Sequence, residues 1–214
     1  MYRYLLFDLD GTLLDTYEGV ARSVVYALKS LGKAIPDRKE LRRYLGPPLS
    51  DSFEKIAGLR GGEIERAVLA YRERYETVGV YEYRFFEEVL PTLEKLRERG
   101  FVLAVATSKP TEFAELILKD AELYDAFDFI GGATKTGERT RKEQVIAYVL
   151  RSLDISDRSE ILMIGDRDND VYGAKANDIV CCGALFGYGG RTELVQSGAE
   201  LLIGRLSELL TILY

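Results

Sequence analysis

The chain has 214 residues, of which 47% are hydrophobic and 30% charged, with a formal net charge of -6 and a sequence pI near 5.0. This composition predicts a globular protein with a sizeable core, and the acidic balance disfavours a nucleic acid polymer as partner. The sequence contains no histidine. Catalysis by a Ser-His-Asp triad and metal sites with histidine ligands are therefore excluded.

Two further features bear on the compartment. No apolar run approaches the roughly 18 residues that a membrane-spanning helix needs, and the charged, tyrosine-rich N-terminus is unlike a signal peptide. We therefore expect a cytoplasmic protein without a membrane partner, as a monomer or homodimer. The two cysteines, Cys181 and Cys182, are adjacent in an apolar run and are expected to be buried strand residues without a chemical role.

Five short apolar runs alternate with helical patterns along the chain. The runs, which predict buried strands, are at residues 4–7, 102–106, 127–130, 161–164 and 179–185. Apolar residues spaced three or four apart precede the second, third and fourth runs and predict amphipathic helices. Strand and helix alternation of this kind predicts an α/β fold, a Rossmann-like doubly wound parallel sheet.

The connection from the first strand to the second is too long for a simple alternation of strands and helices. Its length predicts an inserted helical domain. Apolar stripes at 20–31 and 64–75 indicate helices, and Asp37 with Glu40 resembles a capping box. We therefore expect a sheet domain of residues 1–14 and 86–214 and an insert of four or five helices at 15–85. Four aromatic residues near the end of the insert are expected to pack against the sheet domain, with substrate stacking as the alternative; they are Tyr81, Tyr83, Phe85 and Phe86.

Two carboxylates, Asp8 and Asp10, follow the first strand and precede a glycine turn at Gly11. At an effective dielectric near 20, two such charges about 4 Å apart repel by roughly 4 kcal/mol, so they need a cation or a shared proton. The alternative is an ordinary junction in which Asp8 caps the next helix and Asp10 is a turn residue.

Ligands of open parallel sheets bind at the carboxyl ends of the strands. Asp166 follows the fourth run as Asp8 follows the first, and Asp170 lies four residues later. These acids together predict a site for one Mg²⁺, which takes a few carboxylates, waters and a substrate phosphate. The alternative is a polar loop in which Asp170 is a helix N-cap.

Lys142 and Thr107 predict an anion site at the same edge. Thr140 and Glu143 form a plausible capping box that places Lys142 in the first turn of a helix, where a cation is unfavourable unless an anion binds there. The alternative is a solvated basic run. The Thr107 hydroxyl follows the second strand and can hold phosphate oxygens, as can Lys109.

Four motifs in this order resemble the haloacid dehalogenase superfamily. They are DLDGT from Asp8, VATSKP around Thr107, Lys142, and GDRDND around Asp166. The pattern looks most like the phosphoglycolate phosphatase-like members with a helical cap of the first class. The resemblance implies that the insert is this cap and that the protein is a Mg²⁺-dependent phosphatase of small phosphorylated metabolites.

The resemblance also implies roles for residues. Asp8 would attack phosphorus to form an aspartyl-phosphate, and Asp10 would protonate the leaving oxygen and then activate water. The metal would be bound by Asp8, the carbonyl of Asp10, Asp166 and Asp170. Thr107 and Lys142 would neutralise the transferring group. The resemblance also implies substrate contacts from the backbone amides of the first motif, from Ser108 and from the bend at 45–49, and a contact to a second anionic group. The residues are Gly11, Thr12, Ser108, Gly46 and Arg43.

Alternatives within the family remain open at this point. Close relatives of this type include 5'-nucleotidases and sugar-phosphate phosphatases. A second hypothesis is a phosphomutase, in which Asp10 returns the phosphoryl group to a sugar. A third is a non-catalytic protein that binds a phosphorylated metabolite.

Overall fold

The structure is a computed structural model that describes residues 1–86 and 88–213. In chain order the strands are β1 (Tyr4–Phe7), β2 (Leu14–Asp15), β3 (Arg84–Phe85), β4 (Val102–Pro110), β5 (Phe129–Ala133), β6 (Ile161–Gly165), β7 (Val180–Ala184) and β8 (Leu201–Ile203). Six of them form a sheet in the order β5-β4-β1-β6-β7-β8. All pairs in this sheet are parallel.

Helices connect these strands. They are α1 (Tyr17–Ser30), α2 (Arg38–Arg42), α3 (Leu49–Lys55), α4 (Gly62–Thr77), α5 (Val89–Glu98), α6 (Thr111–Asp120), α7 (Lys142–Ser152), α8 (Asp168–Lys175), α9 (Gly190–Ser197) and α10 (Leu209–Ile212). Among the described residues, no helix is long and apolar enough to cross a membrane.

Hydrophobic layers cover both faces of the sheet. On β1, Leu5 and Phe7 face a core shared with α5 and α6, whereas Leu6 faces a core shared with α7 and α8. This alternation follows from the two-residue period of a strand. Cys181 and Cys182 are both fully buried and point to opposite faces of β7, as expected of strand residues. The predicted fold class is confirmed.

The helical insert consists of α1 to α4 and a 3₁₀ turn at Gly79–Tyr81. Its apolar residues, such as Val24 on α1 and Ala67 on α4, belong to the same continuous core as one face of the sheet. The predicted stripes at 20–31 and 64–75 therefore do supply the buried faces of α1 and α4. The domain boundaries at residues 14 and 86 stay a prediction.

Three short strands escaped the sequence reasoning. β2 and β3 form a small antiparallel ribbon in which Leu14 pairs with Phe85, so the entry and exit of the insert are tied together. β8 extends the sheet edge beside β7. Strands of two or three residues are too short to show a periodic pattern.

The predicted third strand, 127–130, starts two residues later and continues through a pair of glycines. The Asp128 carboxylate accepts a hydrogen bond from the Leu103 amide (2.9 Å) just before the pairing begins. A side chain at Gly131 would place its Cβ 2.4 Å from Val149, and one at Gly132 would come 2.4 Å from a backbone oxygen. Close packing therefore requires glycine here, and glycine interrupts the apolar run that marks a strand.

The aromatic residues at the end of the insert divide into two groups. Phe86 packs edge to face on Phe186 of the sheet domain (5.2 Å between ring centroids), and the Tyr83 hydroxyl donates to Asp120 (2.6 Å). Tyr81 and Phe85 are exposed. Only the first pair therefore packs against the sheet domain as predicted.

Candidate active site

Asp8 is located at the carboxyl end of the central strand β1. Its side chain is buried, and Oδ1 accepts a hydrogen bond from the Leu9 amide at 2.8 Å. The Lys142 Nζ lies 2.8 Å from the same oxygen. Because β4 and β6 flank β1, residues that follow those strands surround Asp8. The alternative in which Asp8 caps a helix does not describe this residue.

Asp8 is one of three buried carboxylates that lie close together. Asp8, Asp166 and Asp170 each offer an oxygen, and these oxygens lie within 4.8 Å of one another. Asp166 accepts hydrogen bonds from the Tyr188 amide (2.6 Å) and the Thr12 hydroxyl (3.3 Å). Burial, together with the charges of Asp170 and Asp8, raises the pKa of Asp166 well above its ordinary value.

Lys142 is the cation within this cluster. Its Nζ lies 2.8 Å from Asp170 Oδ1 as well as from Asp8 Oδ1, and it donates a hydrogen bond to the Ala106 carbonyl at 3.0 Å. Burial lowers the pKa of Lys142, but Asp170 and Asp8 outweigh that effect and raise it, so the lysine is charged. Burial raises the pKa of Asp170 to about 6 despite the attraction of Lys142.

Lys142 lies in the first turn of α7, as predicted, and is its first residue, but the cap of this helix differs from the prediction. The Gln144 side-chain oxygen accepts hydrogen bonds from the amides of Thr140 (3.0 Å) and Arg141 (3.1 Å). Glu143 is therefore not the reciprocal partner. The Gln144 side chain reaches these two backbone amides because Gln144 is the third residue of the helix.

Glycines allow the carboxylates to pack this closely. Gly11 has a φ of +84°, and a Cβ there would lie 2.4 Å from Asp166 Oδ2. A Cβ at Gly187 would lie 2.3 Å from the Asp166 Cβ, and one at Gly165 would lie 2.3 Å from Asp170. The backbone at these three glycines can therefore approach the acids closely, because glycine has no side chain.

Asp10 is held apart from this cluster. Its Oδ1 accepts a hydrogen bond from the Thr16 hydroxyl at 2.5 Å, and its Oδ2 lies 3.1 Å from Lys109 Nζ. Lys109 also donates to the Tyr75 hydroxyl at 2.6 Å. The carboxyl of Asp10 is therefore separate from the three acids, and the expected metal ligand at this residue is its carbonyl. That carbonyl contact stays a prediction.

The four acids and two lysines suit a divalent cation. Two ammonium groups, Lys142 and Lys109, face the four carboxylates of Asp8, Asp10, Asp166 and Asp170, so two negative charges remain without a counter-charge. The raised pKa of Asp166 shows that this excess is costly in a buried site. Oxygen ligands grouped around an excess of negative charge are what a hard divalent metal requires.

A chamber of about 250 Å³ opens above Asp8 and Asp10, between the insert and the sheet domain. Thr107, Ser108 and Lys109 form its sheet side, and Gly46 with its neighbours forms part of its insert side. Its wall is rich in aromatic rings and carries two cationic side chains besides Lys109; these residues are Tyr44, Tyr71, Tyr75, Phe113, Arg72 and Lys135. Lys135 forms an ion pair with Glu76 (3.2 Å), whereas Arg72 has no ion-pair partner among the described residues.

Some predicted substrate contacts lie elsewhere. Arg43, at the end of α2, is exposed and does not line the chamber; its neighbour Tyr44 is buried and does. Arg43 is the C-cap residue of α2 and Tyr44 follows it in a turn, and only Tyr44 faces inward. The amides of Gly11 and Thr12 donate to Leu14 and Leu9 carbonyls within their own turn, so these residues support Asp166 and do not line the chamber.

Sequence reasoning missed the roles of several side chains of the site. Thr16 has no distinguishing pattern, Tyr75 is indicated only as part of the apolar stripe at 64–75, and Lys109 only as a phosphate ligand. Arg167 donates to the Leu45 carbonyl and pairs with Glu193 (2.7 Å), which ties the bend at 45–49 to the sheet domain. Its position within GDRDND was visible in the sequence, but its partners are distant along the chain.

Three carboxylates and a buried lysine at the end of a parallel sheet, beneath a helical insert, make a site that suits a metal ion and an anion. The sequence profile of the family described as haloacid dehalogenase-like hydrolase matches residues 5–184. The chain belongs to this family. Its relatives and structural neighbours make it a phosphatase of that family.

Known relatives carry different names. The 5'-nucleotidase of Pseudomonas aeruginosa is 42% identical, covering 90% of this chain and 87% of its own length. Tyrosine-protein kinase PtkA of Mycobacterium tuberculosis is 37% identical over 93% of this chain and 67% of its own length. The phosphoglycolate phosphatase of Aquifex aeolicus is 31% identical over 99% and 96%. These names agree on phosphoryl transfer and differ in the substrate.

The fold of solved structures agrees closely. The crystal structure of a predicted phosphatase from Clostridium acetobutylicum has a TM-score of 0.95 and 37% sequence identity to this chain. The match covers 99% of this chain and 98% of that one. The insert and the sheet domain are therefore arranged as in that protein.

Proposed function

We propose that this protein hydrolyses a small organic phosphate monoester with Mg²⁺ as cofactor, through an aspartyl-phosphate on Asp8. The observation that carries the proposal is the position of Asp8. Its carboxylate joins the acidic cluster, contacts the charged Lys142 and borders the chamber. These are the surroundings that a carboxylate nucleophile for phosphorus requires.

In the first half-reaction an oxygen of Asp8 forms a bond to phosphorus while the ester P–O bond breaks, and Asp10 supplies the proton to the leaving oxygen. In the second, water attacks the same phosphorus while the bond between phosphorus and the Asp8 oxygen breaks. Asp10 takes a proton from that water, and inorganic phosphate is released with Asp8 again a carboxylate. Lys142 orients Asp8, and Thr107 and Ser108 border the transferring group. Bound Mg²⁺ would supply positive charge against the developing charge of the phosphoryl oxygens.

The chamber supports a small substrate, since about 250 Å³ is below the roughly 300 to 1,000 Å³ of common ligand sites. Arg72, which has no ion-pair partner among the described residues, offers a contact for a second anionic group such as the carboxylate of phosphoglycolate. A nucleoside monophosphate is the second candidate. The three tyrosines of the chamber and the 42% identical 5'-nucleotidase favour it.

The first experiment tests the nucleophile. Purified protein with Mg²⁺ is assayed for release of phosphate from p-nitrophenyl phosphate, beside Asp8→Asn and the matched control Asp178→Asn at an exposed site. We expect turnover in the parent and the control, and none in Asp8→Asn or after chelation of the metal. Equal turnover in Asp8→Asn and the parent would refute the proposal, as would binding of many phosphate esters without release of phosphate.

The second experiment identifies the substrate class. Phosphoglycolate, nucleoside monophosphates, sugar phosphates and pyrophosphate are compared, and the products are examined for an isomeric sugar phosphate. Arg72→Met is expected to raise KM for phosphoglycolate and leave p-nitrophenyl phosphate unaffected, while Arg66→Met on the exposed side of α4 changes neither. A preference for nucleotides would move the assignment to the second candidate, and an isomeric product would indicate a mutase.

A further inference from the structure

Lys109 belongs to the sheet domain, contacts the insert through Tyr75 and has no role in the chemistry proposed above. It follows Thr107 and Ser108 at the end of β4, and its side chain is 5% exposed. Nζ lies 3.1 Å from Asp10 Oδ2 and 2.6 Å from the Tyr75 hydroxyl. A buried ammonium group is costly unless it is paired, so these two contacts determine where it is located.

Tyr75 gives the lysine a partner on the insert. It belongs to α4 and is 1% exposed, with its ring stacked on Tyr71 (5.2 Å between centroids) and edge to face on Phe113 of α6 (5.6 Å). Lys109 Nζ also lies 4.7 Å from the centroid of the Tyr75 ring, a cation-π contact. The ammonium group thus depends on α4 being seated against the sheet domain.

The second oxygen of Asp10 has a comparable dependence. Its donor, Thr16, is the residue immediately before α1, the first helix of the insert. Both oxygens of the Asp10 carboxyl are therefore held by groups whose position follows from the insert, directly through Thr16 and by way of Lys109 through Tyr75. Movement of α1 and α4 would alter both contacts together.

We propose that Lys109 is a positioning residue that makes the orientation of the Asp10 carboxyl depend on the seating of α4. With α4 in place, the bridge from Tyr75 through Lys109 holds Asp10 beneath the chamber. When α4 lifts, the hydroxyl leaves and the ammonium group is no longer fixed. This inference rests on the proposed function, in which Asp10 gives a proton to the leaving oxygen.

The test compares two esters that differ in their need for that proton. p-Nitrophenolate leaves easily without one, whereas the alkoxide of glycerol 2-phosphate does not. The parent, Lys109→Met, Lys109→Arg and Tyr75→Phe are assayed for kcat/KM with each ester, which reports the steps up to transfer of the phosphoryl group to Asp8. Tyr75→Phe removes one hydroxyl and retains the ring packing.

We expect Lys109→Met to lower kcat/KM for the alkyl ester at least about tenfold more than for the aryl ester. Tyr75→Phe should shift the ratio in the same direction by a smaller factor, and Lys109→Arg should partly restore it. Asp10→Asn should show the same preference, and adding Lys109→Met to it should change the ratio no further, because the two residues act as one unit.

Two outcomes separate this inference from the proposed function. An equal loss with both esters in Lys109→Met would overturn the positioning role and leave a lysine that binds phosphate. An unchanged ratio in Tyr75→Phe, with the parent active, would overturn the link to α4 even if Lys109→Met fails to fold. Absence of turnover of either ester by the metal-supplemented parent would instead reject the proposed function itself.

Discussion

Each acid of the site has different surroundings, and these differences separate acids that look alike in the sequence. Asp8 and Asp170 share the ammonium group of Lys142, and Asp10 has that of Lys109. Asp166 has hydrogen bonds from Thr12 and the Tyr188 amide but no lysine or arginine in contact among the described residues. It is therefore the acid whose charge most needs a bound cation.

Replacement of Asp166 tests that conclusion. Asp166→Asn removes one ligand oxygen charge while keeping the shape, so we expect Mg²⁺ to bind at least about tenfold more weakly. Isothermal titration calorimetry of the metal measures this directly, with Asp178→Asn as the matched control. Unchanged affinity in Asp166→Asn would mean that the metal is bound elsewhere.

The raised pKa values of Asp166 and Asp170 predict how metal binding depends on pH. In the metal-free folded protein these carboxyls keep their protons to higher pH than in the unfolded chain, about 6 for Asp170. The stabilisation that protonation supplies is present at low pH and is lost as the pH rises through that value. Mg²⁺ has to displace the protons, so its affinity rises with pH over the same range.

We therefore expect a larger increase of Tm on adding Mg²⁺ at about pH 8 than at about pH 5.5. Thermal unfolding at both pH values, with and without the metal, measures the difference. The same increase at the two pH values would contradict the proposed coupling of metal and protons at these carboxyls.

Within the insert, α1 approaches the backbone that follows α4 without an intervening side chain. The Gly19 amide donates to the Glu82 carbonyl (3.0 Å), and a Cβ at Gly19 would lie 2.1 Å from the Gly79 oxygen. The Ser23 hydroxyl donates to the Gly19 carbonyl (2.7 Å), and Arg74 donates to that hydroxyl (3.1 Å). This backbone contact determines how closely the two longest helices of the insert pack.

Gly19→Ala is expected to destabilise the protein by about 1 to 3 kcal/mol, because the added methyl group forces the backbones apart. Gly62→Ala, at the start of α4, is the matched control, since a Cβ there meets nothing within 4 Å. Urea unfolding gives both free energies. Equal effects of the two substitutions would show that the contact at Gly79 does not limit packing.

Across the whole molecule, the insert and the sheet domain meet on two sides of the chamber. On one side Lys109 contacts Tyr75, and on the other Arg167 donates to the Leu45 carbonyl while Asn169 donates to the Gly46 carbonyl at 3.4 Å. Glu193 of α9 holds Arg167 in place through an ion pair of 2.7 Å. Closure of the chamber therefore depends on polar contacts as well as on the shared hydrophobic core.

Arg167→Met should loosen the bend at 45–49. We expect KM to rise by about threefold or more, with faster cleavage at the bend in limited proteolysis, because the open state becomes more populated. Arg191→Met, an exposed arginine on α9, is the control and should change neither quantity. If KM and proteolysis of Arg167→Met match those of the control, the arginine does not hold the bend closed.

Much of the fold was predictable because its signals are local. The runs at 4–7 and 161–164 contain enough apolar residues to mark buried strands; Asp8 follows the first directly, and Asp166 follows the second after Gly165. Strands β2, β3 and β8 were missed because two or three residues carry no period. Arg43 was misplaced because it lies in the turn after α2, where no periodic pattern shows which side chain faces inward.

The sequence by itself determined the α/β class, the helical insert and the meeting of Asp8, Asp166 and Asp170 at one sheet edge, since the strands, their ends and their alternation with helices follow from patterns a few residues long. Only the tertiary structure decided which lysine contacts which acid, that Tyr75 reaches Lys109 across 34 residues, and that Arg167 holds the bend 122 residues away. Such pairings depend on distances between elements that are far apart in the chain. No local periodicity records those distances, so packing alone separates Asp10 from the three acids beside it.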